Sequence, residues 1–143
     1  MRIFVINPNT SESVTDHIRR ELDKIKRPDT ELTVVNPEHG PVSIESVYDE
    51  ALATPPTLEL VRAANKEGYD AIVLACFSDP GLDASKEISE IPVIGIEEAS
   101  MHMAAMLGHK FSITTVFRSR VPTRDLHVRL HGLEGSYASA LIM

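Results

Sequence analysis

Short, nearly unbroken apolar runs rich in β-formers, separated by stretches with helical periodicity, leave this chain few folds to adopt. The runs are residues 3–6, 32–35, 71–75, 93–96 and 111–116. Each is read as nearly continuous rather than as the apolar–polar alternation of a strand with one wet face. Continuous apolar runs of this length suit strands covered on both faces, which is the condition of a parallel sheet flanked by helices.

The intervening segments supply those helices. Over residues 11–25, Val14, Ile18, Leu22 and Ile25 recur at helical spacing. A second helix is expected to begin near Thr54-Pro55-Pro56, because proline is tolerated in a first turn, and to stop at Gly68. Its apolar face is Leu58, Val61 and Ala64. A short helix is expected from Asp79-Pro80, another over residues 97–107, and a last one from Val121-Pro122 to Gly132. Residues 137–143 read as the opening of a further strand. Strand and helix in alternation predict an α/β fold with a parallel sheet flanked by helices. The expected division is a first lobe over residues 1–96, carrying the cysteine, and the start of a second, incomplete lobe over 97–143.

Composition excludes several classes of function. With 21 acidic against 14 basic residues the net charge is -7. Non-specific nucleic-acid binding relies on clustered cations. Here Lys24, Lys26 and Arg27 form only a short basic run near a helix end. No apolar run approaches the ~20 residues of a membrane span. The first run is cut at once by Asn7-Pro8-Asn9 and reads as a core strand rather than a secretory leader. One cysteine forms neither an internal disulfide nor a cysteine-based zinc cage. The cytoplasm is the expected compartment.

In open parallel sheets ligands bind beyond the carboxyl ends of the strands. Those ends carry Asn7 to Ser11, Asn36 to Gly40, Cys76 to Gly81, Glu97-Glu98 and Thr114-Thr115. Cys76 precedes an expected helix start at Asp79-Pro80, where exposed N–H groups would stabilise a thiolate. A buried structural cysteine fits its position equally well, and the Asp79 carboxylate opposes activation. Among Asn7, Asn9, Thr10 and Ser11, one is a helix N-cap, and backbone N–H groups beside it suit a carboxylate or imide oxygen. Thr114 and Thr115 are also ordinary β-formers.

Of the six histidines, most read as solvated surface residues. His39 lies in a strand-end loop. His127 and His131 share a helix face, but no glutamate follows His127 as a zinc-protease pattern requires. No metal site is therefore expected. Glu97 and Glu98 suit the first turn of a helix. The nucleotide patterns GxGxxG and GxxxxGK[ST] are both absent.

Two segments together carry a resemblance. Val5-Ile6-Asn7-Pro8-Asn9-Thr10-Ser11 and Asp70 through Cys76-Phe77-Ser78-Asp79-Pro80-Gly81-Leu82 resemble segments of the Asp/Glu/hydantoin racemase superfamily, in its hydantoin and allantoin racemase branch. Residues 92–100 and 111–115 continue the match in order. The resemblance implies two α/β lobes with the substrate between them, no cofactor, and two cysteines on opposite sides of the substrate Cα. A thiol pKa of about 8.5 makes both thiolate and thiol accessible near neutrality. By resemblance, Cys76 is the acid or base for one face. Asn9, Ser78 and Thr115, with Asn7 and Thr114, lie where relatives contact the substrate, an amino acid or a 5-substituted hydantoin. Backbone N–H groups after Cys76 would stabilise enolate charge.

The family's second cysteine lies beyond residue 143, so the chain resembles a truncated member. Two alternatives stay open on the sequence. A single-cysteine decarboxylase or cis-trans isomerase of small diacids needs one proton donor only. An inactive remnant would bind a small acid. Apolar faces of the helices near 97–107 and 121–131 would remain partly uncovered, which points to homo-oligomers.

Overall fold

The computed structural model describes residues 1–143. The elements follow in the order β1 (Arg2–Ile6), α1 (Glu12–Ile25), β2 (Glu31–Val35), α2 (Val47–Glu67), β3 (Ala71–Leu74), α3 (Leu82–Ile88), β4 (Val93–Gly95), α4 (Ile96–Leu107), β5 (Phe111–Thr115), α5 (Val121–Leu130) and β6 (Tyr137–Ile142). The chain divides into two compact units, Met1–Ile96 and Glu97–Met143.

In the first unit the strands form one parallel sheet in the order β2-β1-β3-β4. Side chains alternate between faces along each strand. In register, Phe4, Ile6, Ile72, Leu74 and Val93 share one face and form a core with Val61 and Ala64 of α2 and Leu82 of α3. Ile6, Ile72, Leu74 and Val61 are fully enclosed. Each such side chain stabilises the fold by about 1.5–3 kcal/mol of apolar transfer. Tyr69 closes one end of this core, tilted against Phe4 at 4.8 Å and donating its hydroxyl to Thr33 Oγ1 at 2.9 Å.

Two helices start where local chemistry, not apolar period, places them. α2 begins at Val47, well before the expected Thr54, because Ser46 and Asp49 form a reciprocal capping box. Pro55 and Pro56 consequently lie inside the helix. There they deprive the carbonyls of Ala51 and Leu52 of amide donors. On either side of that gap the hydroxyls of Thr54 and Thr57 donate to the carbonyls of Glu50 and Ala53, both at 2.8 Å. α3 begins at Leu82 rather than at Asp79-Pro80. Asp79 has φ 45° and Gly81 φ 74°, left-handed conformations that a helix cannot include.

The second unit holds α4, α5 and a parallel pair of strands, β5 and β6. Its core is small: Met101, Ile113 and Val128, flanked by Phe111, Leu133 and Tyr137. As expected for α4 and α5, apolar side chains remain open, among them Met106, Leu107 and Leu130 at 74%, 81% and 73% exposure. No helix is long and apolar enough to cross a membrane.

Candidate active site at the β1 and β3 strand ends

The order β2-β1-β3-β4 reverses direction between β1 and β3, so the loops leaving these two strands diverge and open a crevice at their carboxyl ends. The strands stay paired to that point. Ala75 N donates to Ile6 O at 2.8 Å, and Asn7 N donates to Val35 O at 2.8 Å. Asn7 and Cys76 therefore leave the sheet side by side, one on each lip of the crevice.

On the β1 lip, Asn7 is 1% exposed and organises the loop. Its Nδ2 donates to Asn9 Oδ1 at 2.9 Å, to Thr15 Oγ1 at 3.0 Å and to the Ser11 carbonyl at 3.3 Å. Thr15 Oγ1 in turn donates a hydrogen bond to Asn36 Oδ1 at 2.6 Å, which ties α1 to the end of β2. With its amide held internally, Asn7 shapes the loop. Asn9 is different. Its Oδ1 also accepts from Ser11 N at 2.9 Å, and an N–H can only donate, so the oxygen end faces the loop. The planar amide then leaves its Nδ2 on the side away from these two donors. Ser11 is the N-cap of α1 and accepts from Val14 N. Three amides of this loop are engaged within the protein: Asn9 N on Asn7 Oδ1, Thr10 N on the Pro41 carbonyl at 3.0 Å, and Ser11 N on Asn9 Oδ1.

On the β3 lip, Cys76 is partly exposed and Ser78 is buried. Cys76 Sγ lies 3.4 Å from Ser78 Oγ. A tight turn holds both, with Ser78 N and Asp79 N donating to the Cys76 carbonyl at 2.8 and 3.0 Å. Two expectations are corrected by this turn. The N–H groups of Ser78 and Asp79 do not face an enolate. Nor does a helix open at Asp79-Pro80, because α3 starts only at Leu82. The hydroxyl of Ser78 is one polar group that the structure sets against the thiol.

Asp79 fixes the turn. Its carboxylate sits over Gly95 so closely that a Cβ there would meet Asp79 Cγ at 2.2 Å. Gly81 is packed as tightly against Thr54, whose Cγ2 a Cβ would meet at 2.7 Å. An acidic residue and two glycines thus set the path of the cysteine turn. Sequence reasoning weighed Asp79 as a charge and as a helix start. Its left-handed φ has no signal in composition or period.

His39 is exposed, 4.0 Å from Glu59, and takes no part in the crevice. Beside α1 and β2 an open groove of about 430 Å³ is lined by Thr10, Thr15, Arg19 and Asn36 but not by the cysteine. Thr114 and Thr115 lie in β5 of the second unit, Thr114 exposed and Thr115 nearly buried. In that unit the acids after β4 do more than open a helix. Glu97 is 1% exposed and paired with Arg124 of α5, and its other oxygen lies 2.6 Å from His127 Nδ1. His127 and His131 are both partly buried. The partners of Glu97 come from the following α-helix, which no local pattern announces.

Against known proteins, residues 3–142 match the family model described as Asp/Glu/Hydantoin racemase. The hydantoin racemase of Pseudomonas sp. (strain NS671) is 46% identical over 127 residues, 88% of this chain and 51% of that protein. The hydantoin racemase of Paenarthrobacter aurescens is 44% identical over 141 residues, 97% of this chain and 59% of that protein. Among solved structures, the allantoin racemase from Klebsiella pneumoniae superposes with a TM-score of 0.95 at 41% identity, covering 99% of this chain and 58% of that one. The chain thus spans little more than half the length of these relatives.

Proposed function

The chain belongs to the Asp/Glu/hydantoin racemase family, and from that premise we propose that it supplies one proton-transfer face of a cofactor-independent racemase acting on hydantoins or amino acids. The observation that carries this reading is the placement of its one cysteine, partly exposed, at the crevice where the sheet order reverses.

The chemistry follows from the thiol. Cys76 as thiolate takes the proton from a Cα next to a carbonyl. The C–H pair moves into that carbonyl as an enolate, and the proton stays on sulfur. Ser78, at 3.4 Å, donates to the thiolate and releases it as the thiol forms. Asn9 Nδ2 is the donor on the facing lip for a carboxylate or hydantoin oxygen, where developing charge is best stabilised. Inversion further requires a proton from the opposite face. One thiol serves one face, so this chain alone accounts for exchange there.

The test is Cα deuteration in D₂O, followed by NMR together with optical rotation, with both hands of a 5-substituted hydantoin, allantoin, aspartate and glutamate as substrates. Deuterium should enter one hand of a hydantoin or amino acid. Cys76→Ser should slow this by at least about 100-fold, the scale of losing a general base. Undiminished exchange in that variant would remove Cys76 from the reaction. Carbon dioxide release from a substituted malonate, without exchange in any hydantoin or amino acid, would replace racemisation by decarboxylation.

A further inference from the structure

His127 on α5 and His131 just beyond its end part company in the fold, and each meets one of the adjacent acids at the start of α4. His127 goes to Glu97. His131 goes to Glu98, where a second histidine, His102, joins it. We propose that Glu98, His102 and His131 form a binding site for a divalent transition-metal ion of the zinc type, which clamps α4 to the end of α5.

Geometry carries the proposal. Glu98 and His102 stand one turn apart on α4 and share a face. His131 follows α5, its N–H on the His127 carbonyl at 3.0 Å, and Gly132 at φ 69° turns the chain immediately after it. One ligand atom from each of Glu98, His102 and His131 lies within 4.8 Å of the others. His131 Nδ1 and Glu98 Oε1 are 3.7 Å apart, too far for a good hydrogen bond. Two ligands on a tetrahedral zinc ion, each bonded at about 2.0–2.1 Å, stand about 3.3–3.4 Å apart. The gap is therefore close to that of a shared ion. The rings of His102 and His131 meet edge to face at 5.8 Å and 73°.

Chemistry narrows the ion. Two imidazoles and one carboxylate, with no thiolate, suit zinc and its neighbours rather than calcium, magnesium or copper(I). Three protein ligands leave further positions for water. His102 is exposed, which provides an entry route, while Glu98 and His131 are about three-quarters enclosed. The adjoining pair of Glu97 with Arg124 and His127 holds the two helices in place before any ion arrives. The three ligands belong wholly to the Glu97–Met143 unit. The site is thus a clamp within that unit, independent of the thiol.

The test uses the 143-residue chain carrying Cys76→Ser, so that no thiol competes. Zinc(II) is titrated by calorimetry, and cobalt(II) by visible absorption. The expected result is one ion per chain, a cobalt spectrum of nitrogen and oxygen ligation, and a zinc-dependent rise in amide protection in α4 and α5. His102→Ala and His131→Ala should each weaken binding by more than about ten-fold. His17→Ala, a change on the exposed face of α1, should leave it intact. Because His102 is exposed, its variant retains the fold, which circular dichroism checks. Absent or non-saturable zinc binding, or binding that survives both His102→Ala and His131→Ala, would overturn the proposal.

Discussion

Asp79 shows how a single side chain can dictate where a reactive group sits. It is the one non-glycine residue with positive φ, and its carboxylate occupies the space that any Cβ at position 95 would need. The strain of a left-handed aspartate is modest, since Asn and Asp tolerate that region better than other residues. What it secures is the turn that holds Cys76 beside Ser78. Gly95→Ala should therefore displace Asp79, destabilise the protein by about 1–3 kcal/mol as overpacking does, and lower the Cα exchange rate. Urea unfolding and the deuterium assay check the two effects separately. Unchanged stability and exchange together would show that the turn accommodates the methyl group and does not depend on this contact. Asn7 has a related role on the opposite lip, where one buried amide joins the loop, α1 and, through Thr15, the end of β2.

At the level of elements, α2 obeys its cap over its prolines. The apolar face Leu58, Val61 and Ala64 was readable from periodicity; Val61 and Ala64 are fully buried and Leu58 half-buried. The start was not readable, because Pro55-Pro56 is the stronger start signal on paper and Ser46-Val47-Tyr48-Asp49 the stronger one in the fold. Tertiary packing accompanies the outcome: Ala53, Pro56 and Thr57 are buried while Pro55 stays exposed, and both prolines lie inside the helix rather than at its end. Removing the cap isolates its contribution. Ser46→Ala should cost about 1 kcal/mol, with early loss of amide protection in the first turns of α2 and none in β1 or β3. Hydrogen exchange resolved by residue measures this. A variant as stable as the parent would mean that burial alone holds the start of the helix.

For the whole molecule, the two units have unequal resources. Met1–Ile96 packs a sheet against α2 and α3, whereas Glu97–Met143 has only a few core residues and leaves much apolar helix surface open. The smaller unit should exchange its amides first. Its stability also carries an alkaline limit. Burial, and then the hydrogen bond and charge of Asp125, push the Tyr137 phenol well above its ordinary value of 10.0. A folded state that holds the proton more tightly than the unfolded one keeps its full advantage below pH 10 and loses it progressively above. Denaturation of the Glu97–Met143 unit should accordingly become easier above about pH 10, and Tyr137→Phe should flatten that component. A midpoint equally sensitive in the variant would assign the alkaline limit to other groups.

Patterns that are local along the chain were enough to read the parallel α/β architecture, the strand ends and the cysteine among them. Apolar runs and helical spacing act between near neighbours, and the strand-end rule then places the loops. The Asn-Pro-Asn-Thr-Ser and Cys-Phe-Ser segments carried the family resemblance for the same reason, being contiguous. What needed the folded chain were contacts between residues remote in sequence: Asp79 over Gly95, Thr15 on Asn36, Glu97 with Arg124 and His127, and the meeting of Glu98, His102 and His131. A buried charge or a ligand cluster is defined by its partners, and those are chosen by how helices pack, which no local spacing encodes.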